Sequence, residues 1–183
     1  MVITLIGYRG SGKTSVARPL AARLGWDWID ADVLLEERAG RTIKQIFSED
    51  GEPEFRRRER EILAELLSRD RIVIAAGGGA VLNADTRRDM LAAGPVVWLQ
   101  APVALLEARI TEDHTTAERR PSLSGGGRDD IAKLLTAREP LYREVATCTV
   151  DTEGLAVEQV VERVAMAIQE KIRLESGSGQ ELA

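Results

Sequence analysis

The stretch "GYRGSGKT", from Gly7 to Thr14, has the residue types and spacing of a phosphate-binding loop, G-x-x-x-x-G-K-[ST]. Its glycines let the backbone approach an anion closely, and N–H groups at the start of a following helix attract negative charge. Lys13 would bring a positive charge to the β- and γ-phosphates of a nucleotide, and the Thr14 hydroxyl suits Mg²⁺. The pattern predicts that a nucleotide is held by Gly10, Ser11, Gly12, Lys13, Thr14 and Ser15.

Two acids, Asp30 and Asp32, follow a short apolar run in the segment "WIDADV" (28–33). We expect this run to be a buried strand, and residues two apart in an extended segment point the same way. Both carboxylates could then face one cleft, where one assists Mg²⁺ through its water shell and the other accepts a hydroxyl proton. The alternative is that they are turn residues that cap the next helix, and both roles could coexist.

A cluster of arginines lies in "DGEPEFRRRER" (50–60). Arg56 comes directly after Phe55, an apolar anchor, so we expect Arg56 near the edge of the core, where a guanidinium group suits two-point recognition of a carboxylate. The other arginines fit a solvated helix face with i,i+4 ion pairs such as Glu54 with Arg58. They are Arg57, Arg58 and Arg60.

Three consecutive glycines follow an apolar run in "AAGGGAV" (75–81). Glycine weakens a strand, and in return it leaves backbone that a ligand can contact closely. The alternative is a tight turn between a strand and a helix, which would need one or two glycines rather than three.

Apolar runs that read as strands alternate with helical patterns along the chain, which predicts an α/β fold with a parallel sheet covered on both faces. The predicted strands are "VITLI" (2–6), "WDWI" (26–29), "RIVIAA" (71–76), "PVVWLQ" (95–100) and "TCTV" (147–150). Apolar residues at helical spacing predict helices over about 53–68 and about 155–172. The first helix should end at Gly25 and bend, without breaking, at Pro19.

The composition is that of one compact globular domain: 183 residues, 44% of them hydrophobic and 30% charged. A net charge of −5 argues against general binding to nucleic acid. The sequence shows no membrane-spanning run and no secretory leader, and its single cysteine cannot form an intrachain disulfide. We therefore expect a cytoplasmic protein, with the monomer as the preferred state.

A phosphate-binding loop does not by itself identify the reaction. Motor and transporter ATPases usually carry an acid at the end of a second apolar strand, whereas "VVWLQ" ends in Gln100 and "RIVIAA" runs into glycines. The Asn-Lys-x-Asp motif that reads guanine is also absent. A short chain of this kind is most often a small-molecule kinase. The alternatives are a kinase for gluconate or a nucleoside monophosphate, and a nucleotide-dependent switch without a chemical step.

Between about Val2 and Ile168 the sequence resembles the shikimate kinases. The motifs that carry the resemblance occur in order: "GYRGSGKT", "DAD", "GRTIKQIFSEDGEPEFRRRE", "GGGAV", "RRPSL" and "AREPLYREVA". The resemblance implies a three-layer αβα P-loop fold with a five-stranded parallel sheet of order 2-3-1-4-5 and a mobile lid. It also implies one kinase domain over 1–174, in which about 32–60 binds shikimate and about 111–127 is the lid. Residues 175–183 are predicted to be a disordered tail.

The implied reaction is phosphorylation of the 3-hydroxyl of shikimate by ATP with Mg²⁺, giving shikimate 3-phosphate and ADP in aromatic amino acid biosynthesis. The resemblance implies that shikimate is held by Asp32, Arg56, Gly78 and Arg138. Arg56 and Arg138 would bind its carboxylate, while Asp32 would accept or orient the reacting hydroxyl. Thr14 and Asp30 would serve the metal, Phe47 and Phe55 would wall the pocket, and Glu59 would orient Arg56.

The lid that the resemblance implies contains Arg120, which would stabilise charge on the transferring phosphoryl group. The lid is longer than expected and contains "RPSL", which leaves open whether Arg119 or Arg120 reaches the phosphates; adjacency to Pro121 favours Arg120. The segment after the last strand, "VDTEGLA", lacks the arginine that often covers adenine in this family, and Arg109 is a candidate for that role. His114, also in the lid, is expected to be a solvated residue.

Overall fold

The computed structural model describes residues 1–112 and 127–177. Most of the predicted lid, with His114, Arg119 and Arg120, lies outside the described residues, as do residues 178–183.

Five parallel strands form one sheet of order β2-β3-β1-β4-β5. The strands are β1 (Val2–Ile6), β2 (Asp27–Asp30), β3 (Ile72–Ala75), β4 (Val96–Gln100) and β5 (Cys148–Asp151). In the register of the central strand, Val2 lies opposite Ile72 and Thr4 lies opposite Val96. The predicted α/β class and the strand order 2-3-1-4-5 are confirmed.

Helices connect the strands and cover both faces of the sheet. In chain order they are α1 (Lys13–Leu24), α2 (Ala31–Ala39), α3 (Ile43–Glu49), α4 (Gly51–Leu67), α5 (Ala84–Ala93), α6 (Val103–Glu112), α7 (Arg128–Val145) and α8 (Val157–Gly177), with a 3₁₀ turn at Ala80–Leu82. Helix α1 passes through Pro19 without a break and ends at Gly25, whose φ of 65° is left-handed, as predicted for a C-terminal cap. Helix α8 includes the first residues of the predicted tail.

The two faces of β1 contribute to two separate parts of the core. Ile3 and Leu5 pack in the layer that contains α1 and α8, while Val2 and Ile6 pack in the layer that contains α4, α5 and α7. Successive side chains of a strand point to opposite faces, and a strand buried on both faces is therefore apolar throughout. This arrangement brings the carboxyl ends of β1, β2 and β3, and the loops that follow them, to one edge of the sheet.

Strand β2 differs from its prediction in two ways. It is an edge strand, with Trp28 40% exposed, so the expectation of a buried strand is wrong. Helix α2 begins at Ala31, so Asp32 lies in its first turn and the expected extended segment through both acids is also wrong. The helix begins early because the Asp30 side chain supplies the cap that its first N–H groups need.

No helix within 1–112 or 127–177 is both long enough and apolar enough to span a bilayer.

Candidate active site

The loop from Gly7 to Gly12 joins β1 to α1 in a conformation that requires glycine. Gly10 and Gly12 have φ values of 81° and 93°, which other residues rarely adopt. A Cβ atom at Gly7 would lie 2.5 Å from the carbonyl oxygen of Leu99, so the loop packs tightly against the end of β4. The backbone N–H groups at the start of α1 are thereby positioned to bind an anion.

Lys13 lies over this loop and is largely buried. Its Nζ atom donates hydrogen bonds to the carbonyl oxygens of Gly7 and Tyr8, both at 2.8 Å, and lies 3.4 Å from Ser11 Oγ. Within the loop Ser11 is buried, whereas Thr14 and Ser15, in the first turn of α1, are exposed. The positive charge is therefore held beside the anion site.

Asp30 connects the loop to the neighbouring strand. Thr14 Oγ1 donates a hydrogen bond to Asp30 Oδ2 at 2.5 Å, while Asp30 Oδ1 accepts from the N–H groups of Asp32 at 3.0 Å and Val33 at 3.2 Å. One carboxylate oxygen thus caps α2 and the other meets the hydroxyl predicted to bind Mg²⁺. Asp30 therefore combines the two predicted roles of these acids, since it caps the helix and lies beside the hydroxyl of the proposed metal site.

Within the described parts of the chain, no three His, Cys, Asp or Glu side chains come together as a metal site. Mg²⁺ does not need such a cluster, because it usually keeps several waters and takes one or two carboxylates together with substrate phosphates. The adjacent hydroxyl and carboxylate oxygens of Thr14 and Asp30 fit that requirement.

Asp32 and Glu59 are two buried acids, 7% and 6% exposed, that approach the same glycine. A Cβ atom at Gly77 would lie 2.6 Å from Glu59 Oε1 and 2.9 Å from Asp32 Oδ1. Burial raises the pKa of Glu59, and the neighbouring Arg56 opposes that rise. Only glycine at 77 leaves room for both carboxylates.

Arg56 is fixed by acids on its own helix. Its Nη1 atom donates to Glu59 Oε2 at 2.7 Å and its Nε atom donates to Glu52 Oε1 at 3.1 Å. The guanidinium carbon lies 5.0 Å from the centre of the Phe55 ring, which in turn lies 4.6 Å from the ring of Phe47. The predicted Glu59–Arg56 pair is therefore present, beside the two aromatic rings.

The neighbouring arginines form ion pairs, and of the three Arg57 is exposed while Arg58 and Arg60 are half-buried. Arg58 Nε donates to Glu54 Oε1 at 2.7 Å, which confirms the predicted i,i+4 pair. Arg57 contacts Glu54 and Glu61 on its own helix, as predicted. Arg60 instead pairs with Asp89 on α5, so its predicted place on a solvated face of α4 is wrong.

The three glycines after β3 each approach a different group. Gly77 faces the two acids, a Cβ atom at Gly79 would lie 2.7 Å from Arg56 Nη2, and one at Gly78 would lie 3.4 Å from the backbone nitrogen of Arg9 in the phosphate loop. None of the three has a positive φ, so turn geometry does not require them. Close approach requires glycine at 77 and 79, whereas a Cβ atom at Gly78 would make only an ordinary contact.

The carbonyl of Gly78 joins this turn to α7. It accepts hydrogen bonds from Arg138 Nη1 at 3.3 Å and from the Tyr142 hydroxyl at 2.6 Å. The guanidinium group of Arg138 lies 5.7 Å from the centre of the Tyr8 ring. The predicted residues Arg56, Gly78 and Arg138 are thus gathered around one turn.

Arg109 lies at the other end of the site. Its Nη1 atom donates to the carbonyl oxygen of Gly10 at 3.2 Å and to Thr152 Oγ1 at 3.1 Å. The buried Thr152 hydroxyl also donates to the carbonyl oxygen of Gln100 at 2.9 Å. A cleft of about 530 Å³ extends from the Asp30 and Asp32 side past the phosphate loop to Arg109 and Leu155.

Tyr142 and Thr152 belong to the framework of the site, although no residue pattern singles them out. Each donates a hydrogen bond to a main-chain carbonyl of a distant segment. The only signals in the sequence are their neighbours, since Tyr142 lies in "AREPLYREVA" and Thr152 directly follows a predicted strand.

Several known proteins with similar sequences and structures are shikimate kinases. A curated shikimate kinase from Thermobifida fusca (strain YX) is 47% identical over 161 residues, which are 88% of this chain and 91% of that protein. The structure of a shikimate kinase from Acinetobacter baumannii in complex with shikimate superposes with a TM-score of 0.86 at 38% identity, over 92% of this chain and 93% of that one.

A gluconokinase from Sinorhizobium meliloti is 19% identical, with a TM-score of 0.59 over 98% of this chain and 97% of that one, and so shares the fold alone. The family model for shikimate kinase matches residues 9–169. This chain belongs to the shikimate kinase family.

Proposed function

We propose that the site transfers the γ-phosphoryl group of ATP to the 3-hydroxyl of shikimate, producing shikimate 3-phosphate and ADP. The observation that carries this proposal is the glycine turn at 77–79, which gathers two buried acids and two arginines and itself lies beside the phosphate loop. The family relationship and the shikimate present in the Acinetobacter baumannii structure support the choice of acceptor.

Shikimate is a ring with one carboxylate and several hydroxyl groups, and the two sides of the glycine turn suit these two chemistries. Arg56 and Arg138 offer guanidinium groups, which bind carboxylates with two parallel hydrogen bonds. Asp32 offers a buried carboxylate that can orient a hydroxyl and accept its proton as the phosphoryl group arrives. The acceptor oxygen would then face the γ-phosphate above Lys13.

We place the phosphates of ATP on the loop from Gly10 to Ser15, where Lys13 stabilises the developing negative charge. The base would lie between Arg109 and Leu155, since a flat cation beside an apolar side chain suits an aromatic ring. Arg109 would take the place of the arginine missing after β5, held by its bond to Thr152.

Mg²⁺ would be held by Thr14 and, directly or through water, by Asp30. When bound, the ion neutralises charge on the phosphate oxygens.

From the family resemblance, Arg120 is proposed to contact the transferring phosphoryl group, with Arg119 as the alternative. The monomeric state, the cytoplasmic location and the absence of nucleic-acid partners stay predictions.

The test is to identify the phosphorylated atom. The enzyme is incubated with ATP, Mg²⁺ and shikimate, and the product is examined by ³¹P–¹H correlation. Coupling of the new phosphate to the proton at carbon 3 is expected. Coupling to another ring proton, or ADP release without a phosphorylated ring, would contradict the proposal.

A further inference from the structure

The Gly78 carbonyl receives two donors from one helix, one at the surface of the proposed acceptor site and one in the core. Arg138 and Tyr142 are four residues apart on α7 and reach the same oxygen. The Tyr142 bond is the shorter, at 2.6 Å against 3.3 Å. The tyrosine is fully buried at 0% exposure, and its ring stacks on Trp98 with 5.6 Å between centroids.

These two donors differ in what they can do when substrate binds. Arg138 has a guanidinium group on a flexible side chain, and its longer bond to the Gly78 carbonyl is the one that can give way to a substrate carboxylate. Tyr142 is fully buried and stacked on Trp98, so we expect it to keep its position. A carbonyl oxygen has two lone pairs, so it can lose one donor and remain paired.

We propose that Tyr142 is a positioning residue for the acceptor: its hydroxyl holds the Gly78 carbonyl so that Arg138 can exchange that carbonyl for the carboxylate of shikimate. This rests on the proposed function, because it takes Arg138 as the carboxylate ligand. Without the tyrosine hydroxyl, binding of shikimate would leave the Gly78 carbonyl without either of its donors. Arg138 would then be retained on the glycine turn, which weakens binding of shikimate and leaves ATP unaffected.

The protonation state of Tyr142 supports this role. Burial raises the pKa of its hydroxyl group far above the ordinary value, and the nearby Arg138 lowers it by less. The hydroxyl therefore stays a donor throughout the pH range of an active enzyme.

The test compares Tyr142→Phe, which removes one oxygen atom and keeps the ring on Trp98, with Thr86→Val. Thr86 is a buried hydroxyl residue on α5, outside the proposed site, and so controls for loss of a buried polar group. The unfolding temperature, both KM values and the affinity for shikimate measured by calorimetry are compared. Tyr142→Phe is expected to raise the KM and Kd for shikimate by about 5-fold or more, with the KM for ATP changed less than about 2-fold. Thr86→Val should change neither KM.

Three results would overturn the proposal: an unchanged KM for shikimate, equal increases in both KM values, or a Tyr142→Phe protein that does not fold. The last would make the hydroxyl a folding requirement instead of a positioning group. Turnover of shikimate by the unmodified enzyme is measured first. Its absence would refute the proposed function, whereas normal turnover with an unchanged KM in the variant refutes only the role of Tyr142.

Discussion

Asp30 and Asp32 show how two acids of the same type acquire different roles from their neighbours. Asp30 uses both oxygens, one on the N–H groups of α2 and one on the Thr14 hydroxyl. Asp32 turns instead towards the buried side, beside Gly77 and Glu59. Asp30, at the start of the helix, therefore suits the metal. Asp32, beside the glycine turn, suits the acceptor.

Asp32→Asn should lower kcat without changing the affinity for the nucleotide. The amide is nearly isosteric but cannot accept the hydroxyl proton, and a general base contributes roughly 100-fold or more to a rate. Steady-state kinetics and ADP binding by calorimetry check this prediction. If the variant turns over as fast as its parent, Asp32 has no part in the chemical step.

Arg56→Lys should raise the KM for shikimate by about 10-fold, because an ammonium group cannot form two parallel bonds and a charge-assisted hydrogen bond contributes about 1.5–3 kcal/mol. The matched control is Arg57→Lys, one residue along the same helix, where the arginine pairs only with surface acids. Its KM should stay unchanged. Equal effects in the two variants would argue against carboxylate recognition by Arg56.

Glu59 should make folding stability fall as pH rises. Its folded pKa is raised by burial above the usual 4.5, so the folded state binds the proton more strongly than the unfolded chain. This contribution is complete below pH 4.5 and is lost as pH rises through the folded pKa. Thermal unfolding should show the unfolding temperature of Glu59→Gln rising relative to that of its parent as pH increases above 4.5. A difference that does not vary with pH would show that the pKa is not raised.

At the scale of elements, the turn between β3 and the 3₁₀ helix connects both halves of the site. Gly79→Ala should raise the KM for shikimate while leaving that for ATP near its original value. The added Cβ atom meets the guanidinium group of Arg56, and such overpacking typically costs about 1–3 kcal/mol. The unchanged KM for ATP serves as the internal control. An unchanged KM for shikimate would show that Arg56 can shift without loss of binding.

The hydrogen bond between Arg109 on α6 and Thr152 after β5 should affect binding of ATP and not of shikimate. Thr152→Val removes the hydroxyl that holds Arg109 and should raise the KM for ATP by about 3- to 10-fold, since a neutral hydrogen bond contributes about 0.5–1.5 kcal/mol. Thr152→Ser keeps the hydroxyl and should restore the lower value. If serine fails to rescue, the effect comes from packing and not from the hydrogen bond.

At the scale of the whole molecule, the sequence predicts the strands well because strands buried on both faces must be apolar throughout. It predicts β2 less well, since an edge strand with Trp28 exposed has the same apolar letters as a buried one. The start of α2 at Ala31 was missed because the cap depends on how the Asp30 side chain turns.

The residues of the site also differ in how far the sequence predicts them. Residues within a motif, such as Lys13 and Thr14, are predictable from local spacing. The meeting of Asp32, Glu59 and Gly77 depends on how β2, α4 and β3 pack. Tyr142 and Thr152 donate their hydrogen bonds to main-chain carbonyls, which leave no side-chain pattern to recognise.

The most direct test of the account is a substrate panel. ADP release is measured with ATP and Mg²⁺ in the presence of shikimate, gluconate or nucleoside monophosphates, and Asp32→Asn is assayed in parallel to show that turnover comes from this site. Rapid ADP release with shikimate, little with the other acceptors and a large loss in the variant are predicted. Turnover of gluconate or a nucleoside monophosphate with none of shikimate would contradict the account.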